Sequence, residues 1–178
     1  MTGSFWTIAL CLFALAVPIR AAEPAYRDPH IRSTEPDLLD DLARGVSVSP
    51  TLRRLLDRLE SSDVVVYLTF DRTAAPNLAG RISLIATVPG RRYLRISIDR
   101  RNFGCQRLAI LGHELQHAVE IADAAAAIDQ ESVASLYRTI GFRSDTGCEA
   151  CFDSRLAIET GRRVQREALA AASGIGSR

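Results

Sequence analysis

Leu111 to Asp123 reads LGHELQHAVEIAD, which sets His113 and His117 four residues apart with Glu114 directly after the first histidine. On an α-helix a step of four residues passes one full turn by about 40°, so the two imidazoles project side by side from adjacent turns and converge on one point. A divalent cation needs that arrangement of its nitrogen donors, and a catalytic zinc takes three protein ligands while leaving a fourth position to water. Glu114 leaves the same turn as His113, where it can lie beside that water and take its proton. The pattern is short enough to arise by chance as two surface histidines flanking an acid, so its setting must decide. Leu111, Leu115, Ala118 and Val119 surround it, and unligated imidazoles with a carboxylate are costly to desolvate in so apolar a helix. A metal would offset that cost.

The elements that must position these side chains follow from periodicity and punctuation. A long helix is expected from Cys105 to Ala127, with Leu108, Leu111, Leu115, Ala118, Val119 and Ala122 on its apolar side. Upstream, TEPDLLDDLARG predicts a short helix capped by Thr34 and closed by Gly45. SPTLRRLLDRLE predicts a second, with Ser49 as cap, Pro50 in its first turn and a leucine stripe. DVVVYLTFD has the β-branched and aromatic content of a buried strand. RISLIATVPGRRYLRISID predicts two strands around Pro89 and Gly90, the second alternating Leu94, Ile96 and Ile98 against Arg95, Ser97 and Asp99, so that one face is wet. After the histidine helix, QESVASLYRTIG predicts a helix closed by Gly141, and the run from Cys148 to Ser173 a last helix weakened at Gly161. The fold class is therefore α+β: a small, mostly antiparallel three-stranded sheet on a long site helix, followed by two further helices.

With 178 residues and 47% hydrophobic composition, the chain has room for one domain, placed at residues 35–172 with a tail at 173–178. A formal net charge of +1, spread along the chain with no basic tract, argues against a nucleic-acid partner. All the basic side chains are arginines, which says nothing of chemistry. Residues 1–22, MTGSFWTIALCLFALAVPIRAA, read as a signal peptide cleaved near Ala21 or Ala22. The mature chain is then expected to be secreted or periplasmic, with no membrane association. Residues 23–34 carry too much proline and too little periodicity for an element, so a mobile lead-in is expected there, with His30 solvated.

Cleavage would leave Cys105, Cys148 and Cys151, an odd number that allows one internal bridge at most. Cys148 and Cys151 form a Cys-x-x-Cys without the second pair of a zinc ribbon or the preceding strand of a thioredoxin-type site. A structural bridge from Cys105 to one of them, preferably Cys148, is expected instead, fastening the histidine helix to the last one.

The His113, Glu114, His117 pattern on a helix preceded by a small sheet resembles the zincin metallopeptidases. The resemblance implies an exported zinc peptidase with Zn²⁺ as cofactor, Glu114 as general base, and a peptide or protein substrate held in extended form along an edge strand. YLRISID, just before the histidine helix, would be that strand. The metzincin branch is excluded: Glu120 stands where its glycine would, Asp123 falls on the wrong side of an unbroken helix, and the only methionine is Met1. Glu120 instead falls on the histidine face, where it can support an imidazole.

The gluzincin branch implies a third ligand from a later helix, with an aspartate four residues on. CEACFDS supplies both, so Glu149 is the preferred ligand, with Asp153 orienting His113; the alternative makes Asp153 the ligand and Glu149 a solvated acid. Glu131, Glu159 and Glu167 are less suited. Tyr137 is the first candidate to stabilise an oxyanion, with Tyr93 and His30 behind it. The same metal, water and Glu114 would serve another amide or ester, and a module that holds zinc without turnover would carry the same donors.

Overall fold

The computed structural model describes residues 30–71, 78–144 and 151–174. Their order is β1 (Ile31–Ser33), α1 (Pro36–Val48), α2 (Pro50–Glu60), β2 (Val64–Asp71), β3 (Gly80–Val88), β4 (Arg91–Asp99), α3 (Gly104–Asp123), α4 (Gln130–Ile140), β5 (Phe142–Arg143), β6 (Phe152–Asp153) and α5 (Arg155–Ala172). The expected signal peptide lies outside the described residues, as do Cys148 and Glu149. No described helix is long and apolar enough to cross a membrane.

The class is α+β, but the sheet is four-stranded and mixed, in the order β1-β2-β4-β3. β1 and β4 both run parallel to β2, and only β3 is antiparallel, to β4. The expectation of a mostly antiparallel sheet fails because the chain crosses from β2 to the far edge as β3. It then turns at Gly90, whose φ of 76° suits a residue without Cβ, and returns between them as β4. β4 is thus paired on both sides and cannot be the substrate-holding edge expected of YLRISID; the edge is β3. Alternation along β4 marks one buried face, since Leu94, Ile96 and Ile98 are fully buried, but the face expected to be wet is exposed only at Arg95 of its three named residues: Ser97 and Asp99 are 6% and 7% exposed. A period of two is silent about which strands and loops lie alongside.

The lead-in also differs from its reading. Ile31–Ser33 pairs with Val66–Leu68, and His30 is buried, donating from Nδ1 to the carbonyl of Val64 at 2.6 Å. Three residues are too few for alternation to show in sequence.

α2 starts as expected, with Ser49 accepting from the Leu52 amide and Pro50 at the first position. α1 runs past Gly45 to Val48, because Gly45 is buried against Leu52 and Leu108 with no room for a Cβ. α3 lies at the centre of the fold, touching α1, α2, α5 and strands β2, β3 and β4. Its Leu108, Leu111 and Leu115 enter the same core as Leu94, Ile96 and Ile98. Each such fully buried side chain contributes about 1.5–3 kcal/mol.

Candidate metal centre

α3 is fastened at its C-terminus by a side chain from the sheet. Arg92, 4% exposed, donates to the carbonyls of Ile121 and Ala124 at 2.7 and 2.8 Å, Ala127 at 3.2 Å and Ala122 at 3.0 Å. It also pairs in a fork with Asp63 at 2.7 and 2.8 Å. The last carbonyls of a helix have no partner within it and carry partial negative charge, so a guanidinium there satisfies both needs. The helix accordingly stops at Asp123, short of the expected Ala127. Asp63, in turn, is held below the usual carboxylate range by the hydrogen bond from Arg92.

α5 fixes the other side of the site. A Cβ at Gly161 would stand 2.9 Å from the Ala109 carbonyl and 3.1 Å from the His113 Cβ, and one at Gly112 2.6 Å from Val164. Glycine at both positions lets the two helices approach this closely. Thr160 adds a hydrogen bond to Gln116 at 3.2 Å. Gly161, read in sequence as a weak point, lies inside an unbroken helix.

Three potential ligand atoms meet between these helices. Nε2 of His113 and Nε2 of His117 each stand 3.4 Å from Oδ1 of Asp153, and one ligand atom from each residue falls within 4.8 Å of the others. Charge-assisted N–H···O bonds are about 2.7–2.9 Å long, so 3.4 Å is too long for a good one. Donors about 2.0–2.1 Å from a tetrahedral zinc stand about 3.3–3.4 Å apart. The group could hold a metal ion, and its two histidine–aspartate distances fit a zinc.

The imidazoles are set for that task. His117, 3% exposed, donates from Nδ1 to Oε2 of Glu120 at 2.8 Å, and Glu120 accepts from the Ser154 hydroxyl at 2.6 Å on its other oxygen. Glu120 thereby fixes the tautomer of His117 and turns the Nε2 lone pair toward Asp153. This is the support expected of Glu120 from its place on the helix face. Tyr137 packs edge-on against His117, ring centroids 5.2 Å apart, and donates to the His117 carbonyl at 3.2 Å. Its hydroxyl is engaged with the helix backbone and positions His117; the oxyanion role expected of it would require breaking that bond. Burial and the neighbouring Glu120 push its phenol well above the usual tyrosine range. Tyr93 stacks near Tyr67 with centroids 6.3 Å apart, and His30 is bonded at β2, so neither reserve candidate joins the cluster.

Glu114 is 5% exposed, and its Oε1 lies where a Cβ on Gly80, the first residue of β3, would stand 2.7 Å away. Burial, opposed by the charge of His117, pushes its carboxyl up to about 7. His113 is lowered by burial and by the nearby charge of His117. Burial opposes charge on His117 too, but contacts with Asp153, Glu120 and Glu114 outweigh it and bring it up to about 9. Three carboxylates, of Glu114, Glu120 and Asp153, thus stand around two imidazoles, a donor set that suits a dication.

These groups line a cleft of about 530 Å³ formed by β3, α3, α4, α5 and the segment around Asp153. Asp153 itself is not helical. It sits in β6, paired with Phe142, and the helix expected from Cys148 begins only at Arg155, where Ser154 caps it by accepting from the Ala157 amide. The geometric basis for preferring Glu149 is gone, and among the described residues the acid that meets the histidines is Asp153. The preferred bridge fails as well: Cys105 is free and Cys151 is disulfide-bonded. Glu167, set aside as a ligand, accepts from the Ser49 hydroxyl and the Thr51 amide and hydroxyl, and so caps α2.

Comparison with family models, with curated proteins and with solved structures found no match to this chain.

Proposed function

We propose that the protein is a zinc-dependent peptidase of zincin type, with His113, His117 and Asp153 as the metal ligands and Glu114 as general base. The observation that carries this reading is the pairing of a three-donor cluster, whose two histidine–aspartate distances are at zinc-ligand spacing, with a buried carboxylate on the same helix turn, both facing one cleft. A bound zinc would polarise the scissile carbonyl and acidify the attacking water.

Glu114 takes the proton of that water and passes it to the leaving amine. Its carboxyl, pushed up to about 7 by burial, suits this double role near neutral pH. β3 supports an extended peptide, since it is the sheet edge that borders the cleft, and its free backbone groups can pair with one. The exported location implied by residues 1–22 belongs to the same reading.

The experiment is metal analysis of the purified mature protein beside cleavage of a generic peptide library. One zinc per chain with cleavage, both lost in His117→Ala, is the expected result. Zinc without cleavage of any peptide, amide or ester would make the protein a zinc-binding module, and no metal at all would end the proposal.

A further inference from the structure

Resting on that reading, the charges of the cleft identify the kind of peptide it takes. Among the described residues lining it, the charged side chains besides the histidines are Arg81, Glu114, Asp153 and Arg162. Arg81 is paired with Asp71 at 3.2 Å. Asp153 faces both histidines, and Glu114 is buried on the same turn as His113. Arg162 is left over: it lines the cleft, is exposed to it, and forms no ion pair with any described residue.

Its position relative to the ligands follows from helix packing. Arg162 comes directly after Gly161, whose backbone abuts Ala109 and His113. Gly161 thus lies against the turn of α3 that ends at His113, and Arg162 leaves α5 beside that residue. Gln106 on α3 and Gln165 on α5 line the same end of the cleft and supply amide donors. The opposite end, at α4, is lined by Val133, Ala134 and Gln130. A guanidinium presents a planar fork that matches a carboxylate with two parallel hydrogen bonds.

We propose that Arg162, assisted by Gln106 and Gln165, forms a carboxylate-binding subsite, so that the protein selects peptides carrying a carboxylate near the bond it cleaves. That group is either the C-terminal carboxylate of a short peptide or the side chain of Asp or Glu.

Three matched fluorescent peptides test this: a short peptide with a free C-terminus, its C-terminal amide, and the amide with glutamate in the last position. Binding is read by anisotropy on zinc-loaded Glu114→Gln protein, and kcat/KM on the wild type. The acid peptides should bind at least tenfold more tightly than the plain amide. Arg162→Gln should erase that preference and Arg162→Lys retain part of it, with melting temperatures unchanged because the side chain is exposed. Preference for the free acid alone assigns the C-terminal carboxylate, and equal preference for the glutamate amide assigns a side chain; either supports the subsite. Equal binding of all three peptides, a preference that survives Arg162→Gln, or no binding of any peptide overturns it. Failure of the metallopeptidase reading looks different: a chain without zinc, or one that binds zinc and cleaves nothing while the anisotropy still decides the subsite.

Discussion

Two buried polar clusters sit on α3, one at its end and one at its middle, and they are built on opposite plans. At the end, Arg92 directs its donors to Asp63 and to four backbone carbonyls at 2.7–3.2 Å, and no donor is left pointing at empty space. At the middle, the Nε2 atoms of His113 and His117 each face Oδ1 of Asp153 across 3.4 Å, longer than a good charge-assisted hydrogen bond and near enough to share a third body. Both clusters are charged and each has a buried member, Arg92 in one and His117 in the other. A buried charged side chain therefore does not by itself mark a ligand site; convergence of donors on a shared point does.

The contrast is sharpened by perturbing each plan in turn. The largest effect belongs to Glu114→Gln, which should keep zinc at one per chain while lowering peptide hydrolysis by about 10²–10⁴, read by metal analysis beside steady-state rates. Next is Arg92→Met. Four carbonyls lose their donor, and unfolding in denaturant should become easier by about 3 kcal/mol or more, with zinc per folded chain unchanged. If Arg92→Met strips the metal at unchanged stability, the division between the two clusters is wrong.

Glu120→Gln should weaken zinc binding by about 10–100-fold, as expected for a carboxylate that orients a metal-ligating imidazole, measured by competition with a chelator. The smallest effect is at Glu167. Burial favours its neutral form, but hydrogen bonds from Ser49 and Thr51 outweigh that and hold its carboxyl below the usual range. A depressed folded pKa gives stability that is present above the ordinary carboxylate range and lost as pH falls through the folded value. Glu167→Gln should therefore destabilise by about 1 kcal/mol at neutral pH, and the gap to the wild type should close in acid, followed by thermal melts across pH.

The parts of the site on α3 could be read in advance because they are local. His113, Glu114, His117 and the supporting Glu120 share one helix, and helical geometry alone sets their relation. The same holds for the cap of α2 at Ser49 and the hairpin turn at Gly90. What escaped depends on pairings between distant segments. The insertion of β4 between β2 and β3, the joining of Ile31–Ser33 to the sheet, and the reach of Arg92 across to the end of α3 leave no periodic trace. Arg92 was hidden in an alternating strand, where an arginine at the start reads as solvated. Asp153 is only the alternative ligand in sequence because residues 148 to 154 read as helix, and a two-residue strand before Ser154 has no pattern to announce it.

Gly112 and Gly161 carry no functional group, yet they set the calibre of the centre. Asp153 rides at the head of α5 and both imidazoles on α3, so the gap between the donors is gauged by how near the two rods lie. At Gly112 a methyl would press on Val164, a fully buried β-branched side chain with little freedom to turn; at Gly161 it would meet the Ala109 carbonyl of the backbone. A single added carbon at residue 161 would thus prise the jaws open and detune the grip on a cation, although nothing that touches the cation had been altered.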